Sequence, residues 1–355
     1  MTERKPYLDN IRWATVLLVL FYHVGYIFNG VGILGGVPNA ESIHWVDCLI
    51  GVVYPWFMVL LFVVSGICAR YALEKRTGKE FLWERARKLL VPSTLGLFVI
   101  HWVTGYLNIK MGGGLEYMPS FIVYPVAVIS GTGPLWFIQM LFLFSALLVL
   151  IRKLDKKDKL WSLCGKANGW IAAALELLIW GGAQMGNVPV LTTYRFGIYF
   201  AAFLIGYLVF SHEEVQKKVE GFRWGYLGLA LVFGAGYIRK CWGGNFTESA
   251  VLESFLTNAY LWLTVLAILG LMRRYGNREN AVTRYLTKNS FGYYILHYPV
   301  LITAAYLLQY HTVLSAGWKY FLTALIMLTG TFLLSEVVKR IPGVRWLVLG
   351  VKKKK

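Results

Sequence analysis

Acidic residues are scarce in this chain. Eighteen Asp and Glu stand against 36 Lys and Arg in 355 residues, and charges of both signs make up only 15% of the sequence. A soluble domain of this length carries roughly a quarter charged residues, so a water-bathed globular fold is excluded. Cysteine is equally thin. None of the four (Cys48, Cys68, Cys164 and Cys241) sits in a CxxC, which excludes a zinc ribbon or a dithiol redox pair, and no metal is expected. Only Cys48 and Cys241, both near the outer face in the topology below, are placed for a disulfide. An internal repeat is also missing, and with it the paired broken helices typical of transporters. No polar stretch is long enough for a soluble domain; the longest, "RKLDKKDKLWSLCGKAN", is a connector.

Apolar residues fill the space that charge vacates. Hydrophobic residues reach 57% and aromatics 16% of the chain, and the mean hydropathy is positive. They come in blocks close to the roughly 20 residues that cross about 30 Å of hydrocarbon. Ten spans are expected, near 11–33, 49–72, 89–108, 134–151, 168–186, 193–211, 224–240, 251–272, 290–309 and 317–338. The fold class that follows is an all-α, polytopic transmembrane helical bundle forming one domain over 1–355, with a basic cytosolic tail over 339–355. The first block is too long for a signal-peptide core and lacks a small-residue cleavage site, so it counts as a span.

The net charge of +18 would suggest nucleic acid in a soluble chain. Its distribution excludes that partner. Of the 36 basic residues, 31 fall on one side of the ten spans and only Lys110, Arg195, Arg239, Lys240 and Lys319 on the other. The positive-inside rule then places both termini in the cytosol, and the final "KKKK" suits an anionic lipid surface or an endoplasmic-reticulum retrieval signal. The short apolar segment "FIVYPVAVIS" reads as re-entrant or interfacial.

An ionisable group within a span is costly, so each needs a reason. Four stand out: His23, His101, Glu176 and His297. His23 lies 11 residues beyond Arg12, about 16 Å deeper at 1.5 Å per residue and on the same helix face. This pair reads either as a basic anchor above a mid-membrane imidazole base, or as a snorkelling arginine and a structural histidine. Glu176 is a candidate to orient His23 or to bond another helix. His297 precedes Pro299, so it is a candidate for capping a freed carbonyl as well as for chemistry. His101 reads as structural. "FLWERARKLLVP" gathers Arg85, Arg87 and Lys88 before Pro92, either as ordinary flanking charge or as a polyanion site.

In order, these segments resemble the acyltransferase 3 family of integral membrane acyltransferases. "YLDNIRWATVLLVLFYHV" carries an arginine, ten residues and a histidine, preceded by Asp9. "PWFMVLLFVVSGICARY" resembles the family's Ser-Gly span, here Ser65 and Gly66, and "FLWERARKLLVP" its basic entry, with Lys88 where a second arginine is common. "GPLWFIQMLFLF" resembles its Leu-Trp-Phe segment (Leu135, Trp136, Phe137), and "SFGYYILHYPV" its late histidine element. Some members carry a glutamate where Gln139 stands here, which favours the glucan-modifying branch.

The resemblance implies transfer of acetyl or succinyl from cytosolic acyl-CoA to a hydroxyl of an extracytoplasmic carbohydrate or other envelope acceptor, in a bacterial plasma membrane. Arg12, Arg85, Arg87 and Lys88 would hold the CoA phosphates, and His23 would act as base or transient acyl carrier. Asp9, Ser65, Trp136, Gln139 and His297 would position the reactants. A homodimer fits as well. The competing expectations are a transporter or flippase for an anionic or acylated envelope precursor, and a structural subunit of a polysaccharide assembly.

Overall fold

The computed structural model describes residues 5–33, 35–155, 157–188 and 193–351. The final Lys352–Lys355 lie outside the described residues. No β-strand occurs among the described residues; Asn187 and Arg195 form a single antiparallel bridge. A hydrocarbon layer offers no water to backbone N–H and C=O groups, so the apolar runs satisfy them internally as helices.

Among the described residues six helices are long and apolar enough to cross a membrane: α1 (Pro6–Ile27), α2 (His44–Leu73), and the helices Gly133–Leu154, Phe255–Tyr275, Ala281–His311 and Ala316–Arg340. Two bent pairs bring the number to eight. Gly78–Phe98 meets Trp102–Met111 at 55°, and Phe196–Leu208 meets Glu213–Gly221 at 109°. The second arm of the latter pair, "EEVQKKVEG", is mostly polar. The structure thus supports six to eight spans, fewer than the ten expected. The other two expected spans are helical without qualifying. Gly169–Ala183 is short, and Arg223–Cys241 has four glycines and three basic residues in 19 positions. The segment "FIVYPVAVIS" forms the 11-residue helix Ser120–Ser130, also too short to span. All four cysteines are free thiols, so the Cys48–Cys241 disulfide that the topology would allow is not formed.

The chain divides into two compact units, and the boundaries fall inside long helices. The first comprises Met1–Thr15, Gly51–Leu82 and Leu143–Thr287. In it α2 meets the helix Phe196–Leu208 with almost no side chain between them. A methyl group on Gly66 would lie 2.0 Å from the Phe203 carbonyl oxygen, and one on Gly206 would lie 2.1 Å from that of Val63. Small residues permit such approaches where the hydrophobic effect cannot drive helices together. Gly66→Ala is therefore expected to destabilise the protein by about 1–3 kcal/mol or more, because backbone cannot yield as a side chain does. Gly228→Ala, with nothing within 4 Å, should be tolerated. Thermal unfolding of both variants in detergent checks the contrast.

The second unit comprises Val16–Ile50, Trp83–Phe142 and Lys288–Lys355. Here the same device brings Trp102–Met111 against Ser120–Ser130, with a methyl on Gly105 lying 1.9 Å from the Ala127 carbonyl oxygen. The expected basic tail is structured over its described part, up to Val351. Pro342–Leu349 is a helix that buries Val348 and Leu349, and Gly350 closes it with a left-handed φ of 63°, close against the Arg87 carbonyl.

Candidate active site

In the first unit, α1 begins at a dock. Asn10 Nδ2 donates to the carbonyls of Gly276 (2.6 Å) and Arg278 (2.8 Å), and the Trp13 indole N–H donates to Asn10 Oδ1 at 2.8 Å. One turn on, the Arg12 guanidinium meets Asp9 Oδ1 at 3.3 Å and donates to Cys68 Sγ at 3.0 Å. Arg12 nevertheless keeps 41% of its side chain accessible. A cation held by a carboxylate and a thiol, with part of its side chain still accessible, is placed to bind an anion. Cys68 was not anticipated; it lies three residues beyond Ser65, and no local pattern marks it as the arginine's partner. Ser65 itself is half-buried beside Gly66.

The same unit opens a surface cavity of about 800 Å³ lined in part by Lys5, Glu213, Glu220 and Arg273. Its cations are already engaged. Glu213 pairs with both Lys5 and Arg273, and Arg273 also meets Glu220 at 3.0 Å. The lining is of mixed sign, which disfavours a polyanion there. Glu176 is buried at the start of Glu176–Ala183, and its Oε1 has no hydrogen-bond partner.

The second unit holds the three candidate histidines, His23, His101 and His297. His23 is half-buried on α1, and its Nδ1 lies 2.8 Å from the Val19 carbonyl oxygen. A carbonyl oxygen only accepts, so Nδ1 carries the proton and Nε2 keeps its lone pair. His297 Nε2 lies 3.2 Å from the same Nδ1. Sequence reasoning proposed Glu176 as the orienting partner; the hydrogen bonds of His23 run instead to Val19 and His297, whereas Glu176 belongs to the first unit. His101 is fully buried and neither ring nitrogen completes a hydrogen bond, though the ring approaches the Ile295 carbonyl. That carbonyl is the one Pro299 deprives of its helical donor. His101, not His297, stands at the proline break.

Further candidates lie in this unit. Trp136 is buried, and Gln139 Nε2 donates to the Ser93 carbonyl at 2.9 Å. Arg87 and Lys88 sit on the single π-turn Ala86–Leu90 just before Pro92, and Lys88 pairs with Glu84 at 2.6 Å. The guanidinium Nε of Arg87 is buried without a partner.

A family model described as an acyltransferase domain, that of acyltransferase 3, matches residues 5–338. The chain belongs to the acyltransferase 3 family. No curated protein and no solved structure matches it. As an acyltransferase 3 member with several apolar helices it is an integral membrane protein. Within the described residues no group of three His, Cys, Asp or Glu side chains is arranged to hold a metal ion.

Proposed function

We propose that this acyltransferase moves an acetyl or succinyl group from acyl-CoA to a hydroxyl of an envelope carbohydrate, with His23 as general base. The observation that carries the reading is the His23 tautomer: Nδ1–H faces the Val19 carbonyl, so Nε2 keeps its lone pair, eleven residues along α1 from Arg12. The acceptor hydroxyl gives its proton to Nε2 as its oxygen attacks the thioester carbonyl. The C–S bond then breaks, and the CoA thiolate takes the proton from Nε2. Arg12, eleven residues back along the unbroken α1 and so about 16 Å away along the axis, would anchor the CoA phosphates. Arg85, Arg87 and Lys88 would add charge on the side where the positive-inside rule puts the basic loops. On the ten-span topology 31 of the 36 basic residues fall on one side, which favours cytosolic termini; a bacterial plasma membrane is part of the same proposal. Gln139 stands where some members carry a glutamate, which favours the glucan-modifying branch.

Purified protein in lipid nanodiscs, given acetyl-CoA labelled in its acetyl group and β-glucan oligosaccharides, is expected to release CoA and transfer label to the sugar. An absence of thioester consumption with these and with other hydroxyl acceptors would sink the reading. Protein-dependent passage of an intact anionic precursor across the bilayer would favour a transporter instead.

A further inference from the structure

We infer that His297 is the positioning partner of His23, so that the base is a pair of neutral imidazoles rather than a single one. This rests on the acyl-transfer reading above for its use, but its geometry stands independently. The His297 Nδ1 lies 2.7 Å from the Tyr294 carbonyl oxygen. As with His23, a carbonyl cannot donate, so Nδ1 carries the proton and Nε2 presents a lone pair. That lone pair faces the His23 Nδ1 at 3.2 Å, with ring centroids 5.1 Å apart. The two assignments agree with each other. His23 Nδ1–H is shared between the Val19 carbonyl and His297 Nε2, and no N–H opposes another N–H.

His297 sits in a closed setting beside the rings of Tyr294 and Tyr298. It is fully buried; the Tyr294 hydroxyl donates to the Pro134 carbonyl, and the Tyr298 ring lies 5.2 Å from that of His23. The carbonyl freed by Pro299 is approached by His101, which leaves His297 for His23. In the reaction, a proton arriving on His23 Nε2 makes the ring an imidazolium. Its Nδ1–H then bonds more strongly to His297 Nε2, and the positive charge is shared along the N–H···N axis. An acidic partner would do this with a buried carboxylate, whose desolvation in hydrocarbon is costly. A neutral imidazole supplies the acceptor without that cost.

The test has a spectroscopic and a kinetic arm, both on the full chain in nanodiscs. With ¹⁵N-labelled histidine, a through-hydrogen-bond coupling is expected between a protonated Nδ1 and an unprotonated Nε2 on different rings. It should vanish in both His23→Asn and His297→Phe. In acetyl-CoA turnover, His297→Phe is expected to lower kcat on the order of 10²-fold, within the span of acid–base contributions, with the acetyl-CoA KM little changed. His297→Gln, whose amide oxygen can accept from His23, should recover much of that loss. The inference falls if His297→Phe turns over like the unaltered protein, if Gln is as impaired as Phe while both bind CoA normally, or if the proton resides on His297 Nε2. Should the unaltered protein consume no acetyl-CoA, the functional reading fails, and the coupling alone decides whether the pair exists.

Discussion

His23→Asn is expected to reduce acetyl transfer by roughly 10²- to 10⁴-fold, the range that a positioned general base contributes. Asparagine retains an amide N–H that can reach the Val19 carbonyl, now bonded to Nδ1 at 2.8 Å, so α1 keeps its local hydrogen bond. What disappears is the lone pair at Nε2. The loss should therefore fall on kcat, with binding of acetyl-CoA preserved, because an interaction made only as the hydroxyl ionises leaves ground-state affinity alone. Turnover at wild-type rate in His23→Asn would remove His23 from the chemistry. A single turnover without acceptor separates two routes: direct transfer leaves His23 unmodified, whereas a covalent route leaves an acetylated imidazole that mass spectrometry of the digested chain would find.

The helical class of the fold, and the candidates that share one helix, are readable from one dimension. Apolar block length announces the long helices, since a run of about 20 such residues has few other uses. It fails where the run is short or diluted, as at Gly169–Ala183 and at Arg223–Cys241 with its four glycines. Arg12 and His23 were legible because both lie on one helix, where spacing alone fixes depth and face. The pairing of His23 with His297 was not, because 274 residues separate them and only tertiary packing brings the rings together. Gly66 shows the same boundary. Its motif is visible in sequence, but the Phe203 carbonyl that demands a glycine is not. Pro299 told that a carbonyl would lack its donor, without telling that His101, from another element, would approach it.

Arg12→Ala should weaken acetyl-CoA binding by about 10- to 100-fold, since a hydrogen bond to a charged group contributes roughly 1.5–3 kcal/mol and each 1.4 kcal/mol is tenfold. Arg12 now spends part of its fork on Asp9 at 3.3 Å and on Cys68 at 3.0 Å, yet 41% of the side chain stays accessible. Those remaining donors are the ones a phosphate would take. Arg12→Lys keeps the charge but loses the planar fork, so its affinity should fall between the two. In each variant kcat at saturating donor should change little, because the guanidinium sits about 16 Å along α1 from the imidazole. Rising salt should weaken binding to the unaltered protein more than to Arg12→Ala, as screening acts on the charge that the variant lacks. Isothermal titration of CoA into each purified variant measures the effect. Equal affinities across Arg, Lys and Ala would move the donor's anchor elsewhere, first to Arg85, Arg87 and Lys88.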